Sequence, residues 1–355
     1  MAETMKAVVK NKAGSGAELV ETKIPALKSD EVLVKVIATS ICGTDVHIYE
    51  WNDWAKGRIK NIPQILGHEF AGEVVATGKN VKNIKVGDYI SAETHIPCQR
   101  CYQCLTGNMH ICNNLKILGV DRDGCFAEYV AVPEIVAWKN DKKLLPEFAS
   151  VQEPLGNAVY CTLVEPVTGK SVLIIGDGPL ALFSCGVARA GGAANIFLAG
   201  MEEFRMNIGL KMGATEYFNV NKEKVDEIIL KKTNGLGVDV VLDMAGGQQA
   251  LNLALSTIRK GGRFSAFGLA SGPVKIDINE NVIFKGITVY GINGRLMFDT
   301  WFKMANLLNS GKLDITPVVT HKLPLEEFKK GFSLMMNTPK LCGKVVLYPD
   351  SKFLK

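Results

Sequence analysis

The sequence predicts an α/β protein in which a doubly wound parallel sheet is combined with a mostly β domain. Three observations predict this. Short runs that alternate apolar and polar residues fill the first 95 residues, with glycine and proline between them. Beyond residue 156 strand-like and helix-like segments alternate regularly, and a glycine-rich turn joins the first of these strands to its helix. Regular alternation of this kind is typical of a parallel sheet covered by helices.

The mostly β part is predicted from four runs of strand character. They are residues 6–10, 32–37, 70–75 and 86–90, and turns containing glycine or proline separate them. After residue 294 come two helical segments, at 298–309 and 325–336, and a last strand at 344–347. This tail is too short for a domain of its own, so we expect it to pack back onto the N-terminal region.

The parallel sheet is predicted from six segments in the second half. Residues 171–175 form a continuous apolar run, which is typical of a strand buried on both faces of a parallel sheet. The other five strands are predicted at 195–199, 216–220, 238–244, 263–267 and 287–292. Six strands are sufficient for a complete doubly wound sheet.

A G-x-G-x-x-A turn follows the first of these strands and opens its helix, in the order Gly176-Asp177-Gly178-Pro179-Leu180-Ala181. The first glycine permits the tight turn, the second lets a pyrophosphate approach the backbone, and the small last residue lets helix and strand pack closely. The phosphate would lie at the helix N-terminus, where free N–H groups and the helix dipole favour an anion. The sequence therefore predicts a Rossmann dinucleotide site.

The end of the second strand leaves the choice between NAD and NADP open. An acid normally stands there, about 20 residues after the glycines, and binds the adenosine ribose of NAD. Here the strand ends at Ala199-Gly200, while Glu202 and Glu203 follow slightly late and Arg205 lies beyond them. Loss of the acid favours NADP, and the two glutamates favour NAD, although Glu202 could simply begin a helix.

Composition limits the possible classes of protein. The chain has 355 residues, of which 47% are hydrophobic and 22% charged, which is enough material for two packed domains. The net charge is +5, but the basic residues are spread out, so we expect no nucleic-acid partner. We find neither a signal peptide nor an apolar run long enough for a membrane span, and therefore expect no membrane association and a cytoplasmic location.

Four of the nine cysteines lie within fifteen residues, as Cys98, Cys101, Cys104 and Cys112. Four thiolates around a tight loop complete a tetrahedral zinc shell with no open position, so this metal would be structural. An iron–sulfur centre is the alternative, because similar spacings occur there. A redox pair would need only two of these cysteines.

A second group of candidate ligands lies earlier, where Cys42 and His68 offer a thiolate and an imidazole. A catalytic zinc uses three protein ligands and keeps one position open. Thr44 could accept a proton from a metal-bound oxygen, and His47 could carry it to water, because imidazole titrates near neutral pH. Taken one at a time, each residue could equally be a structural cysteine, a helix cap or a core histidine.

Several long segments together resemble the zinc-dependent medium-chain alcohol dehydrogenase family, and the similarity covers essentially the whole chain. The segments that carry it are residues 40–51, 67–69, 93–95, 152–159, 291–295 and 299–301. The resemblance implies that the Rossmann domain, residues 156–295, is inserted into a GroES-like catalytic domain formed by residues 1–155 and 296–355. A structural zinc lobe would occupy residues 95–115.

The resemblance also implies the roles of individual residues. The catalytic zinc would be held by Cys42, His68 and Glu69, with Glu153 as a nearby carboxylate, and Thr44 and His47 would form the proton relay. The four cysteines of the lobe would hold the second zinc. The cofactor would be bound by Gly176, Gly178, Pro179, Leu180, Gly200, Arg205, Phe267, Gly268, Leu269, Ile292, Asn293 and Arg295.

The activity implied is oxidation of a secondary alcohol by NAD or NADP, with two zinc ions in each subunit of a homotetramer. L-threonine is the expected substrate and 2-amino-3-oxobutanoate the product, and His95 and Arg295 are candidates for holding the substrate carboxylate. A polyol such as sorbitol or 2,3-butanediol is the alternative substrate. A zinc-free quinone reductase would lack Cys42, His68 and the cysteine lobe, and the intact ligands and relay argue against a non-enzymatic lens or binding protein.

Overall fold

A six-stranded parallel sheet forms the centre of the second half of the chain in the computed structural model, which describes residues 3–354. Its strands are β11 (Ser171–Ile175), β12 (Asn195–Gly200), β13 (Glu216–Asn219), β14 (Val238–Asp243), β15 (Ile258–Ala266) and β16 (Thr288–Gly291). They lie side by side in the order β13-β12-β11-β14-β15-β16. This is the strand order of a dinucleotide-binding fold, so the predicted doubly wound sheet is confirmed.

The central position of β11 in the sheet agrees with its apolar character. Its residues pair in parallel with β12 on one side and β14 on the other, with Val172 opposite both Ile196 and Val240. Helices connect the strands and cover the sheet: α6 (Pro179–Ala190), α7 (Glu203–Met212), α8 (Val225–Lys232) and α9 (Gln248–Thr257). Because a central strand must be buried on both faces, the run of β-branched residues in β11 is what the position requires.

The other part of the chain is mostly β, as predicted. Its strands are β1 (Thr4–Lys10), β2 (Glu18–Lys23), β3 (Glu31–Ser40), β4 (Gln64–Ile65), β5 (Glu69–Thr77), β6 (Tyr89–Ala92), β7 (His95–Ile96), β8 (Lys116–Ile117), β9 (Tyr129–Pro133), β10 (Ala137–Lys139), β17 (Val319–Pro324) and β18 (Lys344–Tyr348). Seven of them form the main sheet, in the order β10-β6-β5-β3-β18-β17 with β9 paired to β3. Smaller sheets contain β2-β1-β4 and β7-β8.

Short helices accompany these sheets. They are α1 (Gly43–Glu50), α2 (Asp53–Arg58), α3 (Tyr102–Leu105), α4 (Pro146–Ser150) and α11 (Phe328–Met336). The core lies between the main sheet and the helices, and Phe70, Phe126 and Phe332 are among its fully buried side chains. The predicted return of the C-terminal tail is visible in β18, which pairs with β3 through Val346 and Ser40.

The boundaries between the two parts differ from those predicted. One compact unit contains the residues up to Glu153 and those from Val319 onward, and the other spans Pro154–Val318. The first division therefore falls within α5 (Gln152–Leu163). The second division lies between Val318 and Val319, whereas the predicted boundary lies between residues 295 and 296. Helix α10 (Asp299–Asn309) and the turn Thr316–Val318 belong to the second unit, where that turn packs against α6 and α7.

Within residues 3–354, the helices are all too short or too polar to cross a membrane. The predicted lack of a membrane span agrees with this finding. The cytoplasmic location stays a prediction.

Candidate functional site

Cys42, His68 and Glu69 meet where two neighbouring strands of the main sheet begin and end. Ser40, the last residue of β3, lies opposite Glu69, the first residue of β5, in an antiparallel pair. Cys42 follows β3 and stands at the N-terminus of α1, while His68 immediately precedes β5. As a result, one ligand atom from each of the three residues lies within 4.8 Å of the others.

Asp45 connects two of these three residues. Its Oδ2 atom accepts a hydrogen bond of 2.9 Å from the backbone N–H of Cys42, and its Oδ1 atom lies 3.3 Å from Nδ1 of His68. Burial acts to lower the pKa of His68, but attraction to Asp45 and Cys42 outweighs it and raises that pKa well above the ordinary value. A carboxylate behind the imidazole leaves the other ring nitrogen, Nε2, for a metal ion.

Two hydrogen bonds reach the same carboxylate oxygen of Glu69. Its Oε2 atom accepts hydrogen bonds from Ser40 and from the buried ammonium of Lys344. Burial raises the pKa of Glu69, and Lys344 opposes that shift. Among the described residues the other oxygen, Oε1, is buried without a hydrogen-bond partner. A buried oxygen of this kind is costly unless it meets a donor or a cation.

The cluster fits a zinc ion on these observations. Ligands of one tetrahedral zinc are about 3.3 to 3.8 Å apart, given bond lengths of roughly 2.0 to 2.3 Å. A sulfur, an imidazole nitrogen and a buried carboxylate oxygen, all within 4.8 Å, therefore need only small side-chain adjustments to share one ion. Three protein ligands leave a fourth position open, as in a catalytic site.

Thr44 and His47 lie three residues apart on α1 and so face the same side of that helix. Thr44 is half-buried and His47 is exposed. Asn52 faces one ring nitrogen of His47. Its Oδ1 atom accepts a hydrogen bond from the backbone N–H of Ala55, and its Nδ2 atom lies 2.7 Å from Nδ1 of the imidazole. The amide nitrogen can only donate, so Nδ1 must be the unprotonated ring nitrogen.

Glu153 is not part of the group formed by Cys42, His68 and Glu69. Its Oε1 atom accepts a hydrogen bond of 2.8 Å from the Thr94 hydroxyl, and its charge contributes to the raised pKa of Glu69. Its predicted part as a carboxylate that approaches the metal stays a prediction.

The second predicted metal group also converges. Ligand atoms of Cys98, Cys101, Cys104 and Cys112 all lie within 4.8 Å of one another. The Sγ atom of Cys101 is 3.5 Å from that of Cys104 and 3.7 Å from that of Cys112. These separations match the roughly 3.8 Å expected between two thiolates on one tetrahedral zinc.

Two of the four sulfurs, those of Cys98 and Cys104, differ in how readily they ionise. A hydrogen bond from the backbone of Arg100 is the main cause that lowers the pKa of Cys98 to about 6. Burial and the neighbouring Cys101 and Cys112 raise the pKa of Cys104 to about 12. Four thiolates so close together cannot all be charged without a cation among them, so the lobe also fits a metal ion.

The glycine turn lines a cavity of about 730 Å³ in the second unit. Gly176 has φ +113°, a conformation that favours glycine, and Gly178 stands at the N-terminus of α6 with Pro179 in its first turn. Gly200 and Met201 line the same cavity at the end of β12. The turn is therefore where a phosphate would meet the free N–H groups of a helix.

The other predicted cofactor residues follow the carboxyl ends of β15 and β16. The backbone N–H groups of Phe267 and Gly268 donate to the carbonyl of Asp243, which brings this loop beside the end of β14. Leu269 is 88% exposed, and Asn293 is also exposed, while Ile292 is buried. Ligands of open parallel sheets bind at this edge.

The two candidates for the substrate carboxylate have different settings. His95 is half-buried on β7, and its backbone N–H donates to Glu93. Arg295 is only 1% exposed, and its Nη1 atom donates to the side chain of Asn157 at 2.7 Å. Its stem packs against Gly156, where a Cβ atom would lie 2.6 Å from Cδ of Arg295. Its setting supports a packing role in the second unit.

Sequence reasoning missed Asp45, Lys344 and Asp177. Asp45 lies three residues after Cys42, and that spacing places it in the first turn of a helix begun by the ligand. Lys344 is 275 residues from Glu69, so no local pattern points to their pairing. Asp177 occupies a variable position of the glycine turn, to which the pattern assigns no role.

Comparisons with known proteins agree with this geometry. Residues 28–142 match the model of the alcohol dehydrogenase GroES-like domain, and residues 179–310 match that of the zinc-binding dehydrogenases. Two relatives named L-threonine 3-dehydrogenase are 52% identical over 97% of this chain (Caldanaerobacter subterraneus) and 50% identical over 98% (Bacillus velezensis). These matches cover 99% and 100% of the relatives' own lengths.

A solved structure is similar over the same extent. The crystal structure of a zinc-binding dehydrogenase from Sinorhizobium meliloti, bound to NADP, has a TM-score of 0.90 and 29% identity, with coverage of 98% of this chain and 100% of that one. The family models, the near-complete relatives and the two convergent ligand groups lead to one conclusion. The chain belongs to the zinc-binding dehydrogenases with an alcohol dehydrogenase GroES-like domain.

Proposed function

We propose that the chain oxidises the secondary alcohol of L-threonine to the ketone of 2-amino-3-oxobutanoate, with zinc and a nicotinamide cofactor. The convergence of Cys42, His68 and Glu69 carries the chemistry. The substrate follows from identities of about half over nearly the full length of the threonine dehydrogenases. In the balanced reaction the carbinol carbon loses a hydride to the oxidised cofactor, the hydroxyl loses a proton, and the reduced cofactor and one proton are released.

A bound zinc ion supplies a Lewis acid that makes the alcohol proton easier to remove. The residues of the chain bind and orient the two metal ions. Cys42, His68 and Glu69 hold the ion, and Asp45 and Lys344 hold two of these ligands in place. Four cysteines hold the structural zinc in the lobe.

Thr44 and His47 export the proton in this proposal. The half-buried Thr44 hydroxyl takes the proton from the substrate and passes it along the same face of α1 toward the exposed His47. The Asn52 amide lies 2.7 Å from Nδ1 of His47 and holds the imidazole in place at the exposed end of this path.

The second unit supplies the cofactor site. The glycine turn and the N-terminus of α6 bind the pyrophosphate, and the cavity between β11, β12 and β14 takes the adenosine half. The exposed loops after β15 and β16, with Leu269 and Asn293, serve the nicotinamide half.

A substrate panel tests the activity. We expect turnover of L-threonine to exceed that of sorbitol and 2,3-butanediol by at least about 100-fold in kcat/KM, because a site that pairs polar substrate groups rejects analogues that lack them. Formation of the reduced cofactor is followed by its absorbance. Faster turnover of either diol would contradict the assignment to threonine.

Replacing Cys42 by Ser tests the catalytic ligand set. We expect turnover to be lost and bound zinc to fall from two ions to one per chain, with the far-UV circular dichroism unchanged. Cys161→Ala is the control, because this buried thiol lies outside both ligand groups. Retention of two zinc ions and full activity in Cys42→Ser would refute the role of Cys42.

We further propose that the chain forms a homotetramer. Strand β16 is the edge of the parallel sheet, and its Val289 is 48% exposed, with Ile283 and Phe284 exposed nearby in the chain. An exposed apolar strand edge is a surface on which another strand can pair. Light scattering after size-exclusion chromatography measures the assembly, and a monomer at micromolar concentration would contradict the proposal.

A further inference from the structure

The second strand of the nucleotide-binding sheet lacks the usual acid, but a carboxylate lies at its end. Asp177, from the glycine turn, directs its Oδ2 atom at the first two residues after β12. It accepts a hydrogen bond of 2.6 Å from the backbone N–H of Met201 and one of 2.8 Å from that of Glu202. The acid that is missing at position 200 is thus supplied from 23 residues earlier in the sequence.

Gly200 and Asp177 share one space. A Cβ atom at position 200 would lie 2.8 Å from Cβ of Asp177 and 2.8 Å from its Oδ2 atom. Real Cβ atoms do not approach other atoms so closely, so a side chain at 200 requires that Asp177 move. An acid at position 200 is therefore incompatible with Asp177 in its present place, and the glycine at the strand end does not by itself favour NADP.

The charges around Asp177 favour a neutral ribose hydroxyl over a phosphate. The Nη1 atom of Arg205, the arginine that could neutralise a 2′-phosphate, lies 3.9 Å from Oδ1 of Asp177, and both residues are buried. The ionisable residues that line the cavity are Asp177, Glu223, Lys224 and Asp226, which are three acids and one base. Lys224 is itself paired with Glu227 at 2.7 Å.

The two backbone N–H groups are also unavailable to a phosphate. Free N–H groups beyond a strand end are ready anion ligands. In this chain those of Met201 and Glu202 already donate to the Asp177 carboxylate. A 2′-phosphate, with a charge of about −1.5 to −2 at neutral pH, would have to displace that carboxylate or lie against it.

We propose that Asp177 selects NAD over NADP at the end of β12. Its carboxylate accepts a hydrogen bond from the ribose 2′-hydroxyl of NAD and repels the 2′-phosphate of NADP. This selection rests on the proposed function only in that the cavity takes the adenosine half of the cofactor. Asp177 does the work that an acid at position 200 does in other dinucleotide sites.

Binding of reduced cofactors to Asp177→Asn tests the selection without any turnover. This variant keeps an acceptor oxygen for the backbone N–H groups and removes the charge. Dissociation constants for NADH and NADPH are measured by cofactor fluorescence, and those for 5′-AMP and 2′,5′-ADP by calorimetry. We expect the original chain to bind NADH about 100-fold more tightly than NADPH, and the variant to lower that ratio about 10-fold or more.

Glu203→Gln is the matched control. It removes an acid three residues beyond Gly200, but this carboxylate is exposed, pairs with Lys222 at 2.7 Å and does not line the cavity. We expect its ratio of NADH to NADPH affinity to stay within about twofold of the original, since screened surface charges contribute little. An equal fall in both variants would show that general charge, and not Asp177, selects the cofactor.

An exchange of the two positions tests the shared space. Gly200→Asp alone should weaken binding of both cofactors, because two side chains compete for one volume. Combining it with Asp177→Gly should restore tight NADH binding and the preference over NADPH. If the double variant binds NADH no better than Gly200→Asp alone, an acid at position 200 cannot replace Asp177.

The outcomes separate this inference from the proposed function. Binding of both cofactors with an unchanged ratio in Asp177→Asn would overturn the role of Asp177 alone. So would preference of the original chain for NADPH. Failure of the original chain to bind either cofactor, or either adenosine fragment, would overturn the cofactor site and with it the proposed function.

Discussion

Asp45 is the residue that joins the ligand loop to the imidazole. It bonds the backbone of Cys42 through one oxygen and faces His68 through the other, and it is completely buried. A carboxylate in this position determines which nitrogen of the imidazole is free and makes that nitrogen a stronger ligand. The zinc affinity of the site therefore depends on a residue that is not itself a ligand.

Replacing Asp45 by Asn should lower the affinity of the catalytic site for zinc about 10- to 100-fold, because a neutral amide stabilises the ligand less than a carboxylate. Competition with a chromophoric chelator measures the change. Asp53→Asn is the control, since that acid is exposed and pairs with Lys56 on the surface. Equal zinc affinity in Asp45→Asn and the original chain would contradict the orienting role.

His47 depends in the same way on Asn52. The amide orientation is set by the cap of α2, where Oδ1 is already used, so the nitrogen must face the imidazole. The sequence predicted His47 as a proton carrier. Only the folded loop shows what keeps its Nδ1 unprotonated.

Replacing Asn52 by Asp should move the acid limb of the pH–rate profile to higher pH. The new carboxylate favours the protonated imidazole, and a protonated His47 cannot accept the proton that leaves the alcohol. Since the neutral form is lost as pH falls, the loss would begin at a higher pH in the variant. Asn52→Ser keeps the cap without the charge and should leave the limb in place. A limb that is equal in all three proteins would exclude His47 from the relay.

At the scale of elements, the cysteine lobe is the part that the sequence predicted most completely. Two-residue gaps bring successive sulfurs onto one side of a tight turn, and the fourth cysteine follows after the short helix α3. Such spacing is a local property of the chain. The unequal ionisation of Cys98 and Cys104 is not a local property, because it depends on the backbone N–H groups that face Cys98 and on the burial of Cys104.

Alkylation of the zinc-free protein should follow that order. With a chelator present at pH 7, Cys98 should react first, because its pKa of about 6 makes it largely a thiolate. Cys104, with a pKa of about 12, should react last. Peptide mass spectrometry after timed labelling gives the order. With zinc present all four should be protected, and rapid labelling of all four in that state would contradict the structural site.

The glycine turn shows how far element-level prediction extends. Its strand, turn and helix lie where the sequence predicts them, since they follow from the apolar run of β11 and the glycines. The sequence does not decide between NAD and NADP, because the glycine pattern normally has its acid at the end of the next strand. The acid lies in the turn itself, and its contact with the end of β12 requires the folded sheet.

At the scale of the whole molecule, the second unit is one continuous piece of chain, whereas the first is made of two. The predicted boundary at 295 would cut off α10 and the residues up to Val318. Trp301 and Met304 on that helix are completely buried, as is Val318. The surface of α6 and α7 against which Thr316–Val318 packs would be exposed in the shorter piece.

The fragment 154–318 should fold alone and keep the ratio of NADH to NADPH affinity of the full chain. The fragment 154–295 should be unstable or aggregate, because it loses the cover over its core. Circular dichroism, urea unfolding and cofactor fluorescence compare the two. Equal stability of both fragments would mean that α10 does not belong to this folding unit.

The sequence by itself determined the properties that are local or periodic. Apolar runs and glycines determined the strands and the phosphate turn, and cysteine spacing determined the structural metal lobe, because neighbours in the chain are enough to specify them. Only the tertiary structure decided the rest: the Lys344 and Asp45 that support the catalytic ligands, the residues that cover the second unit, and the acid that faces the end of β12. These depend on contacts between distant segments, or on the direction in which a side chain points, and no local pattern of residues encodes either.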